Sequence, residues 1–190
     1  MNLQNASGSK DRLAGVLYCS QATDEMSGAQ LRRIVKTSRM NNTRREITGL
    51  LVYGGGMFMQ WLEGPRYEVR KLVASIALDP RHEATVYLHK MVDLESRVYG
   101  SSAMQNVAPD ACRDHFSDCL SLIPDRNDRQ LVLQMIALLE TREREASRPK
   151  FGVGSAASAS LSVTNSNLML KDWLFGGLKG FVDKRLLSFL

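Results

Sequence analysis

Residues 13–20, LAGVLYCS, alternate as a strand does, with Ala14, Val16, Tyr18 and Ser20 on one face and Leu13, Gly15, Leu17 and Cys19 on the other. The period then lengthens. After a candidate N-cap at Ser27, Leu31, Ile34, Val35 and Ser38 recur at helical spacing, as far as an MNNTRRE stretch whose asparagines favour a turn. Residues 47–53, ITGLLVY, read as a second strand, and the glycines at 54–56 turn the chain back as a hairpin into a third, GMFMQWLEG. Pro65 opens a second helix with Val69, Leu72, Val73 and Ile76 as its buried stripe. It stops before DPRHE. Residues 84–92, ATVYLHKMV, then make a fourth strand, with Val86, Leu88 and Lys90 on one face and Tyr87, His89 and Met91 on the other.

This order, βαββαβ, predicts an α+β sandwich of the ferredoxin-like layout, both helices covering one face of a mixed sheet. A short fifth strand is expected around residues 102–106, completing βαββαββ, and two helices follow at 110–122 and 125–145, separated by Pro124. The expected domains are a polar, mobile leader at 1–10, the sandwich at 11–109 and a helical pair at 110–146. A Ser/Ala-rich linker at 147–167 and an amphipathic segment at 168–190 complete the chain. The layout names a shape and no function.

Composition narrows the classes. The 190 residues carry 25 Lys and Arg against 20 Asp and Glu, but the basic residues are scattered and read as solvated helix faces; no nucleic-acid partner is expected. Cys19, Cys112 and Cys119 have no metal spacing and leave one over after any pairing, which fits a reduced, cytoplasmic setting. No apolar stretch approaches the ~18 residues that span a bilayer. His82, His89 and His115 are dispersed, no serine sits in a GxSxG elbow, and the glycines at 54–56 precede a strand, not a helix, so neither metal, hydrolase nor phosphate-loop chemistry is indicated.

What stands out is a polar side chain in apolar company. Gln60 sits inside GMFMQWLEG, sharing its face with Phe58 and Leu62, while Met59, Trp61 and Glu63 take the other. A buried amide without partners costs roughly 1–3 kcal/mol, so it must be hydrogen-bonded. The first and third strands of this layout are neighbours, which brings Tyr18 beside Gln60. Either the two satisfy each other, or both point at a planar heteroaromatic ligand between the helices, with Asn42 reading its polar edge.

Four stretches resemble the BLUF domains, sensors of blue light using FAD: LYCSQA around Tyr18, SRMNNTRREITGLLVY with Asn42, GMFMQWLEG around Gln60, and DPRHE. The likeness runs from Leu17 to about Pro109. It implies FAD held noncovalently between the two helices, Tyr18 as electron and proton donor, and Gln60 as the amide that bridges tyrosine and flavin and rearranges on illumination. It further implies that Asn42 and the adjacent Asn41 meet the flavin's polar edge and that Ser38 stands beside the glutamine network. Ile47 supplies apolar contact, and Arg81 and His82 a positive group at the ribityl and phosphate end. Met104 matches a signal-relay position, whereas Ser102 stands where many members have tryptophan, so a Trp side path from there is absent. Trp61 is expected on the far face of the sheet, toward the C-terminal helices.

No cyclase or phosphodiesterase pattern follows, so no enzymatic activity is expected; the resemblance implies signalling to an unidentified downstream protein or through a homo-oligomer. The 168–190 segment is read as a helix docked on its own sheet or a dimer mate, as a partner-recruiting element, or as a weak membrane-surface contact. The rival class is a ferredoxin-like RNA- or ligand-binding module without photochemistry, which needs exposed aromatics such as Phe58 and Tyr18 on the central strands.

Overall fold

The computed structural model describes residues 12–100 and 103–148. The leader at 1–10, Ser102, all but two residues of the 147–167 linker and the 168–190 segment therefore lie outside the described residues. Ten elements follow in order: β1 (Leu13–Ala22), α1 (Gly28–Arg44), β2 (Thr48–Gly54), β3 (Met57–Pro65), α2 (Arg66–Ala77), β4 (His82–Leu94), β5 (Gln105–Val107), a 3₁₀ turn at Pro109–Ala111, α3 (Cys112–Ser121) and α4 (Arg126–Ala146). The sheet runs β4-β1-β3-β2-β5, antiparallel except for β5, which pairs parallel to β2 from Leu50↔Gln105 to Val52↔Val107. This is the expected ferredoxin-like mixed sheet of five strands. The compact unit that carries it ends at Ala146.

Local chemistry sets the elements. Ser27 N-caps α1 in a capping box, its hydroxyl accepting from the Gln30 N–H while the Gln30 amide oxygen accepts from the Ser27 N–H at 2.8 Å. The β2–β3 turn has Gly55 and Gly56 at φ of 54° and 75°, the left-handed conformation that tight hairpins require. A side chain at Gly55 would also strike α4, since an added Cβ would lie 2.3 Å from Arg142 Cβ. The Gly55 N–H donates to Glu143 Oε2 at 2.9 Å, tying the hairpin tip to α4.

Two strand expectations change. Strict alternation put Tyr87 and His89 on one face of β4, but the register opposes Tyr87 to Tyr18 and His89 to Leu17. A bulge at Leu88 separates them, and the extra residue sends the two side chains to opposite faces. His89 meets Asp128 of α4 at 3.2 Å, so α4 covers the face shared by Leu17, Trp61 and His89. The fifth strand begins at Gln105, later than the expected 102–106 span. The Ala103 and Met104 carbonyls are taken by side chains of α1, so the chain enters the ladder only after them.

The two helices beside the sheet are incompletely buried. Of the apolar stripe on α1 only Val35 is buried, and of that on α2 only Val69 and Val73. Ile34, Leu72 and Ile76 are half-buried and face a cleft between the helices. Among the described residues no helix is long and apolar enough to cross a membrane.

Candidate functional site

The cleft encloses about 460 Å³, within the range of roughly 300–1,000 Å³ typical of small-molecule sites. Its walls come from α1 and α2, and its floor from β1, β2 and β3 through Tyr18, Leu51, Phe58 and Gln60. Half-buried aliphatic walls on both sides of a floor with two polar groups suit a flat, mostly apolar ring system with a hydrogen-bonding edge. Those features fit a flavin.

On the floor, Tyr18 and Gln60 stand directly opposite each other across β1 and β3. They are 1% and 6% exposed. The Tyr18 hydroxyl donates to Gln60 Oε1, and Gln60 Nε2 donates to Met104 Sδ at 3.3 Å. A thioether accepts and never donates, and the phenol here gives its proton to the carbonyl oxygen, so two partners agree on which way the amide points. Burial, and next the neighbouring Tyr87, push the Tyr18 pKa well above the ordinary phenol value. The phenol therefore keeps its proton at any working pH and can serve as the donor.

The end of α1 forms the adjoining rim. Asn42 is 1% exposed, and its Nδ2 donates to the Ala103 carbonyl at 3.3 Å. Ser38 and Asn41 also line the cleft, Ser38 half-buried and Asn41 exposed. Ile47 does not line it; buried beside Gly64, it touches the rim through its N–H, which donates to the Asn42 carbonyl at 2.9 Å.

At the other end Arg81 and His82 both line the cleft. The Arg81 guanidinium is forked onto Asp79, whose carboxyl it holds down at about 2. The His82 pKa is lowered from 6.5, chiefly by burial, which leaves the imidazole neutral at neutral pH. Its ring lies 4.6 Å from that of Phe58, and Nδ1 is 2.7 Å from Ser20 Oγ. The cleft's further cations are Arg33 of α1 and Arg45, the residue that follows that helix.

Trp61 is fully buried on the opposite face, the one α4 covers, and it does not line the cleft. Its Nε1–H donates to Glu63 Oε2 at 2.9 Å. Glu63 is itself fully buried and accepts three more bonds, from Thr48 Oγ1 at 2.9 Å and from the Val98 and Tyr99 N–H groups at 2.8 and 2.7 Å. Arg97 reinforces this knot by donating to Thr48 Oγ1 and to the Glu63 and Glu46 carbonyls. Tyr99 carries it onward, its hydroxyl donating to the His115 carbonyl of α3 at 2.5 Å. The sequence signal for Glu63 was the same as for Gln60, a polar side chain in an apolar strand.

Known proteins resemble the part of the chain that carries this cleft. The family model described as sensors of blue-light using FAD, BLUF, matches residues 13–105. The photoactivated adenylate cyclase subunit beta of Euglena gracilis is 42% identical over 89 residues, 47% of this chain and 10% of that protein. The chain thus spans about a tenth of the length of that curated relative. Among solved structures, BlrB, a BLUF protein in its dark state, superposes with a TM-score of 0.53 at 27% identity, covering 67% of this chain and 96% of that one. A bacterial light-regulated adenylyl cyclase gives 0.51 at 29% identity, covering 68% of this chain and 39% of that one.

Proposed function

We propose that residues 13–105, which the BLUF family model matches, form a blue-light sensing domain, and that the protein is a photoreceptor holding FAD noncovalently in the cleft between α1 and α2. The observation that carries the reading is the hydrogen-bonded series Tyr18–Gln60–Met104 on the cleft floor. FAD, when bound, supplies the absorption of blue light and the electron vacancy that excitation opens. Ser38, Asn41 and Asn42 would hold its polar edge, and Arg81 and His82 its ribityl and phosphate end. With FAD bound, Tyr18 would supply an electron and then its proton to the excited flavin, the Gln60 amide would carry the proton, and both would return on recombination. The amide is left rotated or tautomerised.

In the rotated amide Oε1 faces the acceptor-only sulfur of Met104, so that contact is lost. Each hydrogen bond exchanged is worth about 1 kcal/mol, enough to bias an element with two states and too little to unfold anything. The domain is a sensor and contributes no catalytic group. Its output runs through Met104, the segment bearing Ser102, Trp61 and the helical pair at 110–146, to a downstream protein or a second copy of the chain in the cytoplasm. The sensor itself spans 11–109.

The rival reading as an RNA platform loses its footing, because Phe58 and Tyr18 are each 1% exposed and offer no face for base stacking. The test is a spectrum. The purified chain loaded with FAD shows a reversible red shift of flavin absorbance under blue light, and Tyr18→Phe abolishes it; a full shift in the Tyr18→Phe protein overturns the assignment.

A further inference from the structure

We propose that Arg39 is a positioning residue for this photocycle, a latch on α1 that holds Met104 against the Gln60 amide and so favours the dark arrangement. The inference rests on the photoreceptor reading. Arg39 Nε donates to the Met104 carbonyl at 2.8 Å, while Met104 Sδ accepts from Gln60 Nε2 at 3.3 Å. One residue is therefore gripped at both ends, by its main chain from the helix and by its side chain from the switch.

The grip is built rather than incidental. One turn along the same helix Asn42 takes the preceding carbonyl, Ala103, so residues at i and i+3 hold two consecutive peptide oxygens. Both residues directly precede the β2–β5 ladder, whose first pair is Leu50↔Gln105. Arg39 also differs from its neighbours in exposure. Met104 and Asn42 are buried, whereas the Arg39 side chain reaches its partner from the solvent side. The bond can open without breaching the core.

The sulfur favours the amide orientation that turns Nε2 toward it, because it can accept a proton and offers none. How strongly it does so depends on where the sulfur sits, and Arg39 sets that through the carbonyl. Return to the dark state re-forms the Nε2–Sδ contact, so a sulfur held in place speeds it and a loose one slows it.

The experiment is a blue flash on the full chain loaded with FAD, following decay of the red-shifted absorbance in Arg39→Ala, Arg39→Lys and each variant combined with Met104→Leu. Loss of a charge-assisted but solvent-exposed bond is expected to slow recovery about three- to tenfold in Arg39→Ala. Arg39→Lys falls between Arg39→Ala and wild type. In the Met104→Leu background, which has no sulfur to position, Arg39→Ala has no further effect. Recovery in Arg39→Ala that is unchanged or faster overturns the latch, and so does an equal slowing in the Met104→Leu background. A wild-type chain without a reversible shift overturns the photoreceptor reading, and the latch with it; a wild-type shift with unaffected Arg39 variants overturns the latch alone.

Discussion

Gln60 and Glu63 stand three residues apart on β3, both buried, and the strand sends them to opposite faces of the sheet. Glu63 accepts four hydrogen bonds, from a hydroxyl, an indole and two peptide N–H groups, which fills about the four lone-pair sites a carboxylate offers. Gln60 has one partner at its oxygen and one at its nitrogen, and an amide nitrogen carries a second proton that remains for a ligand. A saturated group has a single arrangement. A group whose two ends can be exchanged among partners of similar strength has two, and only the second kind can store a light signal. The same strand thus carries an anchor on one face and a switch on the other.

The contrast breaks most completely at Gln60. Gln60→Leu is expected to remove the light-induced red shift altogether while costing only about 1–2 kcal/mol of stability, the price of the Tyr18 hydroxyl left without its acceptor; difference spectra and urea titration check the two halves. Glu63→Gln reverses the pattern. It turns one acceptor oxygen into a donor facing N–H groups, at a cost of about 2–3 kcal/mol of unfolding free energy from urea titration, and leaves a red shift in the folded fraction.

These outcomes bear on what could be read in the residue pattern alone. Alternation locates four strands, and the adjacency of the first and third places Tyr18 beside Gln60. The bulge at Leu88 was invisible, because an extra residue leaves the hydrophobic pattern looking regular while it switches the face. The start of β5 was misjudged because the competitors for its carbonyls, Arg39 and Asn42, lie on a helix some sixty residues earlier in the chain. Arg39 itself looked like one more solvated charge. Glu63 was legible by the reasoning applied to Gln60, yet its four donors come from three separate stretches of chain, which no local pattern announces.

Smaller effects sharpen the comparison. Trp61→Phe withdraws one of the four donors from Glu63 and is expected to cost about 1 kcal/mol by chemical denaturation, with the dark-state flavin spectrum unmoved because Trp61 lies off the cleft. The smallest change is with pH. The His82 pKa in the fold lies below its unfolded value of 6.5, so the unfolded chain takes up that proton first as pH falls. Stability contributed by the neutral ring is present above that value and declines below it; melting curves of the ligand-free protein should show the decline, and His82→Gln should reduce it.

Strand β4 has 13 residues where β1, its partner from end to end, has 10, and the register slips three times to absorb the difference. Each slip is a place where the chain could lose a residue and still meet β1 at both ends. Deleting Leu88 would leave Tyr87 across from Tyr18 and His89 across from Leu17, as they are now. Deleting a regularly paired residue nearby would instead move side chains between the cleft face and the α4 face until a bulge compensated. Length variation among chains of this architecture should therefore be read at β4 as bulges gained or lost, and an alignment that forces strict alternation there would assign the wrong neighbours to Tyr18.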